Sequence, residues 1–159
     1  MGQPIRTHTP EQKRQIKEML QGRHEITING ERRVIVIRRC EVAAEGAAAG
    51  LLVPSLGIVR VIDIGSGTVN LGTLQDRRFV DRASDTLVNG METLRNPDPA
   101  AFARAIIAHA IRLKWKSEDV LVLCGGGAEA LLPDIGKHFK SAQLLKPGMS
   151  SMRTSRRSI

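Results

Sequence analysis

Aromatic residues are scarce in this sequence: three phenylalanines and one tryptophan are present, and tyrosine is absent. A core of this composition must be aliphatic, and it offers no aromatic platform for stacking the bases of single-stranded nucleic acid. Long apolar runs are lacking too, because none approaches the ~20 residues that a membrane-spanning helix needs. The N-terminus shows no apolar segment typical of a signal peptide. We therefore expect a cytoplasmic protein that does not engage a membrane.

Cysteine is nearly absent, and Cys40 and Cys124 stand far apart in the sequence. A structural disulfide is not expected in the cytoplasm, and neither cysteine stands at metal-ligand spacing from a histidine. We interpret the histidines as ordinary surface or core residues; they are His8, His24, His109 and His138.

Acidic residues are too few to balance the basic ones, and the net charge of +8 is concentrated at the two ends. Residues 1–40 carry nine Lys and Arg against four acids, residues 146–159 carry four against none, and residues 41–145 carry eleven against twelve. Such ends are either solvated and partly disordered or arms that hold DNA, a DNA-bound adapter or another acidic partner. We expect residues 146–159 to be a disordered basic tail.

The first 50 residues form a module of their own in the sequence pattern. A threonine followed by a proline is typical of a helix start. Asn29-Gly30 between two β-rich runs is the strongest short signal for a hairpin. The elements predicted for this module are a helix over residues 10–21, a hairpin over residues 24–37 and a helix of about two turns over residues 43–50.

Residues 51–145 follow one continuous pattern of short apolar strands and two helices. Short links join the first three strands, which predicts an antiparallel meander. The predicted order is strands 59–64, 69–74 and 78–83, a helix that begins at Pro99 with Asp98 as its cap, strand 120–123, helix 128–139 and strand 142–145. A three-stranded meander followed by parallel strands with crossover helices is the α/β order of a ribonuclease-H-like half-domain. Two such halves face each other in the actin-like architecture.

The segment with the most chemical information is Asp63-Ile-Gly-Ser-Gly-Thr68, which lies between two apolar strands. Its glycines permit strained dihedrals and a close approach of the backbone to a ligand, and successive amides in such a turn form an anion-binding concavity. An aspartate at a strand end supplies the hard oxygen that a phosphate-bound Mg²⁺ needs. We therefore predict half of a nucleotide site, with a plain glycine hairpin as the alternative. The phosphate-binding residues would be Gly65, Ser66, Gly67 and Thr68.

Two further segments are candidates for the same site. Three glycines between a buried strand and a helix either let a flat adenosine group lie against the backbone or form a tight turn with no ligand; they are Gly125, Gly126 and Gly127. Glu45, a single carboxylate among alanines and glycines, either orients the water that attacks a terminal phosphate or is an exposed acid at a helix N-terminus. No Gly-Lys-Ser/Thr follows the first glycine turn and no helix follows it directly, which excludes a P-loop and a dinucleotide-binding fingerprint.

With these residues in view, the stretch from about Pro4 to Pro147 resembles the C-terminal half (domain II) of the ParM/StbA family of actin-like plasmid-segregation ATPases. Asp63–Thr68 is similar to the second phosphate motif of that family, and Cys124–Glu129 is similar to its adenosine motif. Val42–Ala47 is similar to the stretch that places a hydrolytic glutamate before the phosphate hairpin.

The resemblance implies ATP and Mg²⁺ as cofactors and assigns a role to each candidate residue. Asp63 would serve the Mg²⁺, directly or through water, and Gly65 to Thr68 would bind phosphate. Gly125 to Gly127 would lie beside the adenosine, and Glu45 would position the hydrolytic water.

The sequence also departs from this family. Nothing before Pro4 supplies the first phosphate loop, and Asn70 stands where such motifs often carry an acid. We therefore expect one jaw of a clamp, which alone binds nucleotide weakly and hydrolyses little or none. The apolar hairpin in the first 40 residues predicts a dimer or filament, or association with a full-length actin-like partner. The alternative function is a non-catalytic adapter that binds DNA or an acidic partner through its basic termini.

Overall fold

The structure is a computed structural model in which residues 1–93 and 98–145 are described. The helices are α1 (Pro10–Leu20), α2 (Ala47–Gly50), α3 (Pro99–Arg112) and α4 (Ala128–His138), with 3-10 turns at Ile5–Thr7 and Asp81–Ala83. The strands are β1 (Gly2–Gln3), β2 (Gly22–Ile28), β3 (Glu31–Ile37), β4 (Ala43–Ala44), β5 (Ile58–Ile64), β6 (Val69–Gln75), β7 (Arg78–Phe79), β8 (Asp85–Leu87), β9 (Val120–Cys124) and β10 (Gln143–Leu144). The predicted tail over residues 146–159 lies outside the described residues.

A mixed sheet with the strand order β10-β9-β5-β6-β7 forms the centre of the molecule. The strands β5, β6 and β7 run antiparallel as a meander, whereas β9 pairs parallel to β5 and β10 pairs parallel to β9. Parallel neighbours require crossover connections, and α3 and α4 supply them. This is the predicted arrangement of a meander followed by parallel strands with crossover helices.

The third strand of the meander is shorter than predicted. We expected a strand over residues 78–83, but β7 ends at Phe79 and a 3-10 turn follows. The reason is a set of side-chain bonds: the Thr73 amide donates to Ser84 Oγ at 2.9 Å, and Thr73 Oγ1 donates to the Ala83 carbonyl. A short strand that the sequence did not indicate, β8, then pairs with the other end of β6.

Two cores lie on opposite faces of the central sheet, because successive side chains of β5 point to opposite sides. Ile62 and Ile64 pack with the buried faces of α3 and α4. Val59 and Val61 pack on the other side with Ile5 and with apolar residues of the segment around α2. The second core therefore joins residues on both sides of position 50, the predicted boundary between two modules.

The small-residue segment 43–50 is not the two-turn helix that we predicted. Its first residues form β4, which pairs parallel with β1, and only the last four residues form the single turn α2. Gly46 separates the two elements with φ of +74°, a conformation that side chains rarely adopt. The small residues still serve close packing, since a Cβ at Gly72 would lie 3.2 Å from Ala47 Cα.

The first hairpin, β2–β3, forms a separate two-stranded sheet. Asn29 and Gly30 both have positive φ, as a two-residue type I′ turn requires, so the predicted hairpin is present. Its apolar side chains are unusually exposed: Val34 is 52% and Val36 59% accessible. Among the described residues, no helix is both long and apolar enough to cross a membrane.

Candidate functional site

Asp63 lies near the end of β5, opposite Asn70 of β6 and beside Cys124 of β9. Its carboxylate is half-buried, and burial raises its pKa, an effect that a hydrogen bond from the Cys124 thiol partly offsets. Burial and the neighbouring carboxylate together raise the pKa of Cys124 to about 12, so this thiol stays protonated and donates. Within residues 1–93 and 98–145 the carboxylate of Asp63 has no ion pair with Lys or Arg. A cation bound here would therefore relieve the cost of its burial.

The turn after β5 presents free backbone amides. Gly65 N donates to Thr68 O at 2.9 Å, which closes a four-residue loop, and Ser66 and Gly67 at its tip are exposed. Among the residues that the structure describes, the amides of Ser66, Gly67 and Thr68 donate to no protein acceptor. Three consecutive amides are thus available to an anion.

The two glycines of this turn do not have the strained dihedrals that we predicted. Neither Gly65 nor Gly67 has positive φ, because four residues share the chain reversal. A Cβ at Gly67 would meet no atom within 4 Å, and one at Gly65 would lie 3.1 Å from Thr68 O. Neither the dihedrals nor the space around position 67 therefore requires a glycine there.

A segment that the sequence analysis missed supports the turn from behind. The amides of Met91 and Glu92 donate to the carbonyls of Gly65 and Ser66, at 3.1 and 2.9 Å. A Cβ at Gly90 would collide with the backbone of Ser66. The Asn89-Gly90 pair signals a turn in the sequence, but nothing in it indicates which distant backbone that turn contacts.

The second glycine segment lies beside the first. Gly127 N donates to Ile64 O at 3.1 Å. Gly125 has φ of +88°, and a Cβ there would collide with Ile64 O and lie 2.7 Å from Asp63 Oδ1. Gly125 and Gly127 are thus required by the local structure itself, whereas a Cβ at Gly126 would meet nothing within 4 Å. Gly125 and Gly126 are exposed and Gly127 is buried, so Gly126 is the exposed glycine of the three that the local packing does not require.

Glu45 lies near the two glycine segments because the next residue, Gly46, packs against Asp63. A Cβ at Gly46 would lie 2.8 Å from Asp63 Cβ, so the chain passes directly over the aspartate. Glu45 itself is half-buried and precedes α2 instead of standing in its first turn. Its amide donates to Gln3 O at 2.7 Å, and its side chain lies against the backbone of Gly2. The structure therefore brings Glu45 near Asp63 along the chain, with its side chain directed to the N-terminal strand.

Asn70, opposite Asp63, belongs to a buried polar chain. Thr86 Oγ1 donates to Asn70 Oδ1 at 2.8 Å and accepts from the Arg6 amide at 3.3 Å. This chain ties β6 to β8 and to the N-terminal segment. Within the described ranges no three metal-ligating side chains of His, Cys, Asp or Glu cluster together, so any Mg²⁺ held by Asp63 would take its other ligands from phosphate and water.

No protein-family profile and no curated protein sequence matches the chain. Solved structures do match it. An AlfA filament bound to AMPPNP superposes with a TM-score of 0.76 at 20% identity, over 92% of this chain and 51% of that chain. An archaeal actin homolog in complex with ADP superposes with a TM-score of 0.72 at 20% identity, over 93% of this chain and 65% of that chain. The apo psk41 ParM protein superposes with a TM-score of 0.69 at 15% identity, over 94% of this chain and 57% of that chain.

The chain has the actin-like fold, and the resemblance stated from its sequence is confirmed at the level of fold. It spans about half to two thirds of the length of these three structures.

Proposed function

We propose that this chain is an actin-like nucleotide-binding domain of the plasmid-segregation type, which binds Mg²⁺-ATP on the edge formed by Asp63, Gly65–Thr68 and Gly125–Gly127. The observation that carries the proposal is the loop after β5, whose three consecutive amides have no protein acceptor in residues 1–93 and 98–145. Exposed amides without protein acceptors are hydrated, and a phosphate chain would replace that water as the acceptor for all three.

The residues present fit a magnesium-bound phosphate. The Asp63 carboxylate is half-buried, its pKa is raised, and it has no basic partner in the described residues. A nearby cation would stabilise its charged form. Mg²⁺ would neutralise charge on the phosphates, and Asp63 would hold it directly or through water. The exposed backbone at Gly67 and Gly126 would let the phosphates and the adenosine approach closely.

Binding by this chain alone is expected to be weak. A hydrogen bond to a charged group contributes about 1.5–3 kcal/mol. If a second domain normally supplies two or three phosphate contacts, their absence weakens binding by on the order of 10²-fold or more. Hydrolysis needs both phosphate loops to fix the reacting geometry, so we expect little or no turnover.

Glu45 is proposed to position the attacking water when a complete site forms. It precedes the glycine that lies over Asp63, but its side chain rests on Gly2 in this structure. Glu45→Gln should therefore leave nucleotide affinity unchanged and lower only hydrolysis.

Self-association is the second part of the proposal. The β2–β3 hairpin is a two-stranded sheet with exposed valines and isoleucines on both faces, and such a hairpin is marginally stable without further partners. A second copy or a full-length actin-like partner would bury it. Sedimentation across a concentration series tests this: Val34→Lys with Val36→Lys should abolish association, and a wild-type monomer at all micromolar concentrations would contradict it.

Thermal unfolding with and without Mg²⁺-ATP tests nucleotide binding. At ligand ten times above its Kd the stabilisation is about 1.4 kcal/mol, which corresponds to a rise in Tm of roughly 3 °C or more. Asp63→Ala should remove the shift, whereas Asp76→Ala, an exposed aspartate in the β6–β7 turn, should keep it. No shift in the wild type at any nucleotide concentration would contradict the proposal.

The alternative, an adapter that binds DNA through basic termini, predicts a different outcome. Salt-sensitive DNA binding would then disappear when residues 146–159 are removed, and Mg²⁺-ATP would have no effect on Tm.

A further inference from the structure

A second concave site lies away from the glycine turns. It is a cavity of about 450 Å³ between the 3-10 turn that ends at Ala83 and the C-terminal end of α3. Its lining residues are Arg60, Arg82, Ala83, Arg112, Leu113 and Lys114. Four of the six are basic and none is acidic.

This cavity and the proposed nucleotide edge are separate. Arg60 and Asp63 are three residues apart on β5, so their side chains project from opposite faces of the sheet. Arg60 packs beneath α3, with its guanidinium 5.2 Å from the centre of the Trp115 ring, whereas Asp63 lies under Gly46 on the other face.

The charges that line the cavity are only partly neutralised. Arg60 is nearly buried and is paired with Asp119, with Nε 2.7 Å from Oδ2, so its charge is balanced. Arg82 and Lys114 are exposed, and in residues 1–93 and 98–145 neither has a carboxylate within 4.0 Å. Two uncompensated cations therefore face one small cavity.

Arg112 is held at the same cavity by a buried histidine. Its Nη2 lies 2.7 Å from His109 Nδ1, and His109 Nε2 lies 3.0 Å from Asp85 Oδ2. Arginine only donates, so Nδ1 must accept and Nε2 must carry the proton that goes to Asp85. The Asp85–His109 pair thus fixes the Arg112 guanidinium without forming an ion pair with it, which leaves its remaining donors for another acceptor.

Lys114 occupies a position that favours glycine. It lies two residues after Arg112, the last residue of α3, with φ of +60°, the left-handed conformation that commonly ends helices and is usually taken by glycine or asparagine. A side chain in this conformation is strained. The chain nonetheless carries a lysine at the rim of this cavity, where its charge lies beside those of Arg82 and Arg112.

We infer that this cavity, formed by Arg82, Arg112 and Lys114, is a second anion site that binds a phosphate group. Guanidinium groups match phosphate oxygens in paired hydrogen bonds, and a lysine adds a point charge. The phosphate could belong to a free oligophosphate or to a nucleic-acid backbone. The inference does not depend on nucleotide binding at the glycine turns.

Calorimetric titration with inorganic tripolyphosphate tests this, without Mg²⁺ so that Asp63 cannot contribute through a metal. The substitutions below leave the amides of residues 66–68 unchanged, so the affinity that they remove belongs to the cavity. Arg82→Gln with Lys114→Gln should weaken binding at least tenfold. The control, Arg32→Gln with Arg38→Gln, removes the same charge from exposed positions in and next to the β2–β3 hairpin and should change affinity less than threefold. Duplex DNA is titrated in parallel with the same variants.

Each outcome decides the inference. Tripolyphosphate binding that the cavity variant loses supports a free oligophosphate as ligand. DNA binding that the cavity variant loses, with no tripolyphosphate binding, supports a phosphate within a nucleic acid. No binding of either probe to the parent protein, or equal loss in the cavity and control variants, would overturn the inference.

Discussion

Two antiparallel hairpins of equal size stand in contrast within this chain. Both β2–β3 and β5–β6 pair seven residues with seven. The first reverses through two residues of positive φ and leaves its side chains exposed, whereas the second reverses through four residues and is almost completely buried. The shorter loop is the more economical way to reverse a chain. The wider loop lies on the buried hairpin, and among the described residues its amides at positions 66–68 have no protein acceptor, as the proposed phosphate binding requires.

The two hairpins should differ most in the stability that is lost when a charged side chain is removed, because the charge is buried in the second hairpin and exposed in the first. Arg60 of β5 is paired with Asp119 in the interior and also donates to Thr73 Oγ1. Arg60→Ala leaves the nearly buried Asp119 carboxylate without its ion-pair partner, with the Lys116 amide as its remaining donor, and should lower the free energy of unfolding by about 3–5 kcal/mol. Arg33→Ala, which removes an exposed pair with Glu31 in the first hairpin, should cost less than about 1 kcal/mol. Chemical denaturation measures both, and similar losses would remove the contrast between the hairpins.

Apolar side chains should show the next largest difference. Ile62 of β5 is fully buried, whereas Ile35 of β3 is 44% accessible. Ile62→Ala should cost about 2–5 kcal/mol in unfolding free energy, and Ile35→Ala should stay within about 0.5 kcal/mol in dilute protein. If Ile35→Ala costs more as protein concentration rises, the first hairpin is buried by self-association. An equally large cost at every concentration would show that the hairpin is buried within one chain.

The two turns should respond in opposite ways to alanine. Gly30→Ala forces a side chain into positive φ and should destabilise the protein by about 1 kcal/mol. Gly67→Ala meets no atom and has an ordinary φ, so it should be neutral or stabilising by up to about 1 kcal/mol. The same Gly67→Ala should weaken Mg²⁺-ATP binding, since its methyl group stands where a phosphate would approach. Unchanged affinity in titration calorimetry would show that the turn carries no ligand.

The smallest effect is a pH dependence of stability that arises from Asp63 in the second hairpin. Burial raises the pKa of Asp63, so the folded state holds this proton more tightly than the unfolded state. Its contribution to stability therefore falls as pH rises above the ordinary pKa of aspartate. Asp63→Asn removes that loss, so the variant should gain stability relative to wild type between pH 4 and pH 8, as denaturation at several pH values can measure. A difference between the two proteins that does not change with pH would contradict the burial effect.

Local signals explain which parts of the fold were predictable. Asn29-Gly30 specifies its own turn, and Asp98 caps α3 by accepting from the Ala100 amide, so sequence neighbours decide both features. The short strand β8 and the 3-10 turn before it depend on Thr73, whose partners lie about ten residues away. No periodicity in the sequence encodes such pairings.

For the candidate site, local residue types were again informative, whereas contacts with distant segments were not. Residue types placed Asp63 and both glycine segments at strand ends, and the parallel pairing of β5 with β9 brings them together. The collision that requires glycine at position 90 could not be predicted, because it depends on how Met91 and Glu92 bond to the turn. The strained dihedrals predicted at Gly65 and Gly67 were wrong because loop length, not residue type, sets the backbone angles.

The central claim is that phosphate binds to the amides of Ser66, Gly67 and Thr68, which have no protein acceptor in the part of the chain that the structure describes. Two-dimensional ¹H–¹⁵N NMR during titration with Mg²⁺ and a non-hydrolysable ATP analogue tests it directly. The largest shift changes should occur at those three amides and at Gly126, while the amides of the Asn29-Gly30 turn stay in place. Shifts confined to other surfaces, or none at saturating nucleotide, would contradict the claim.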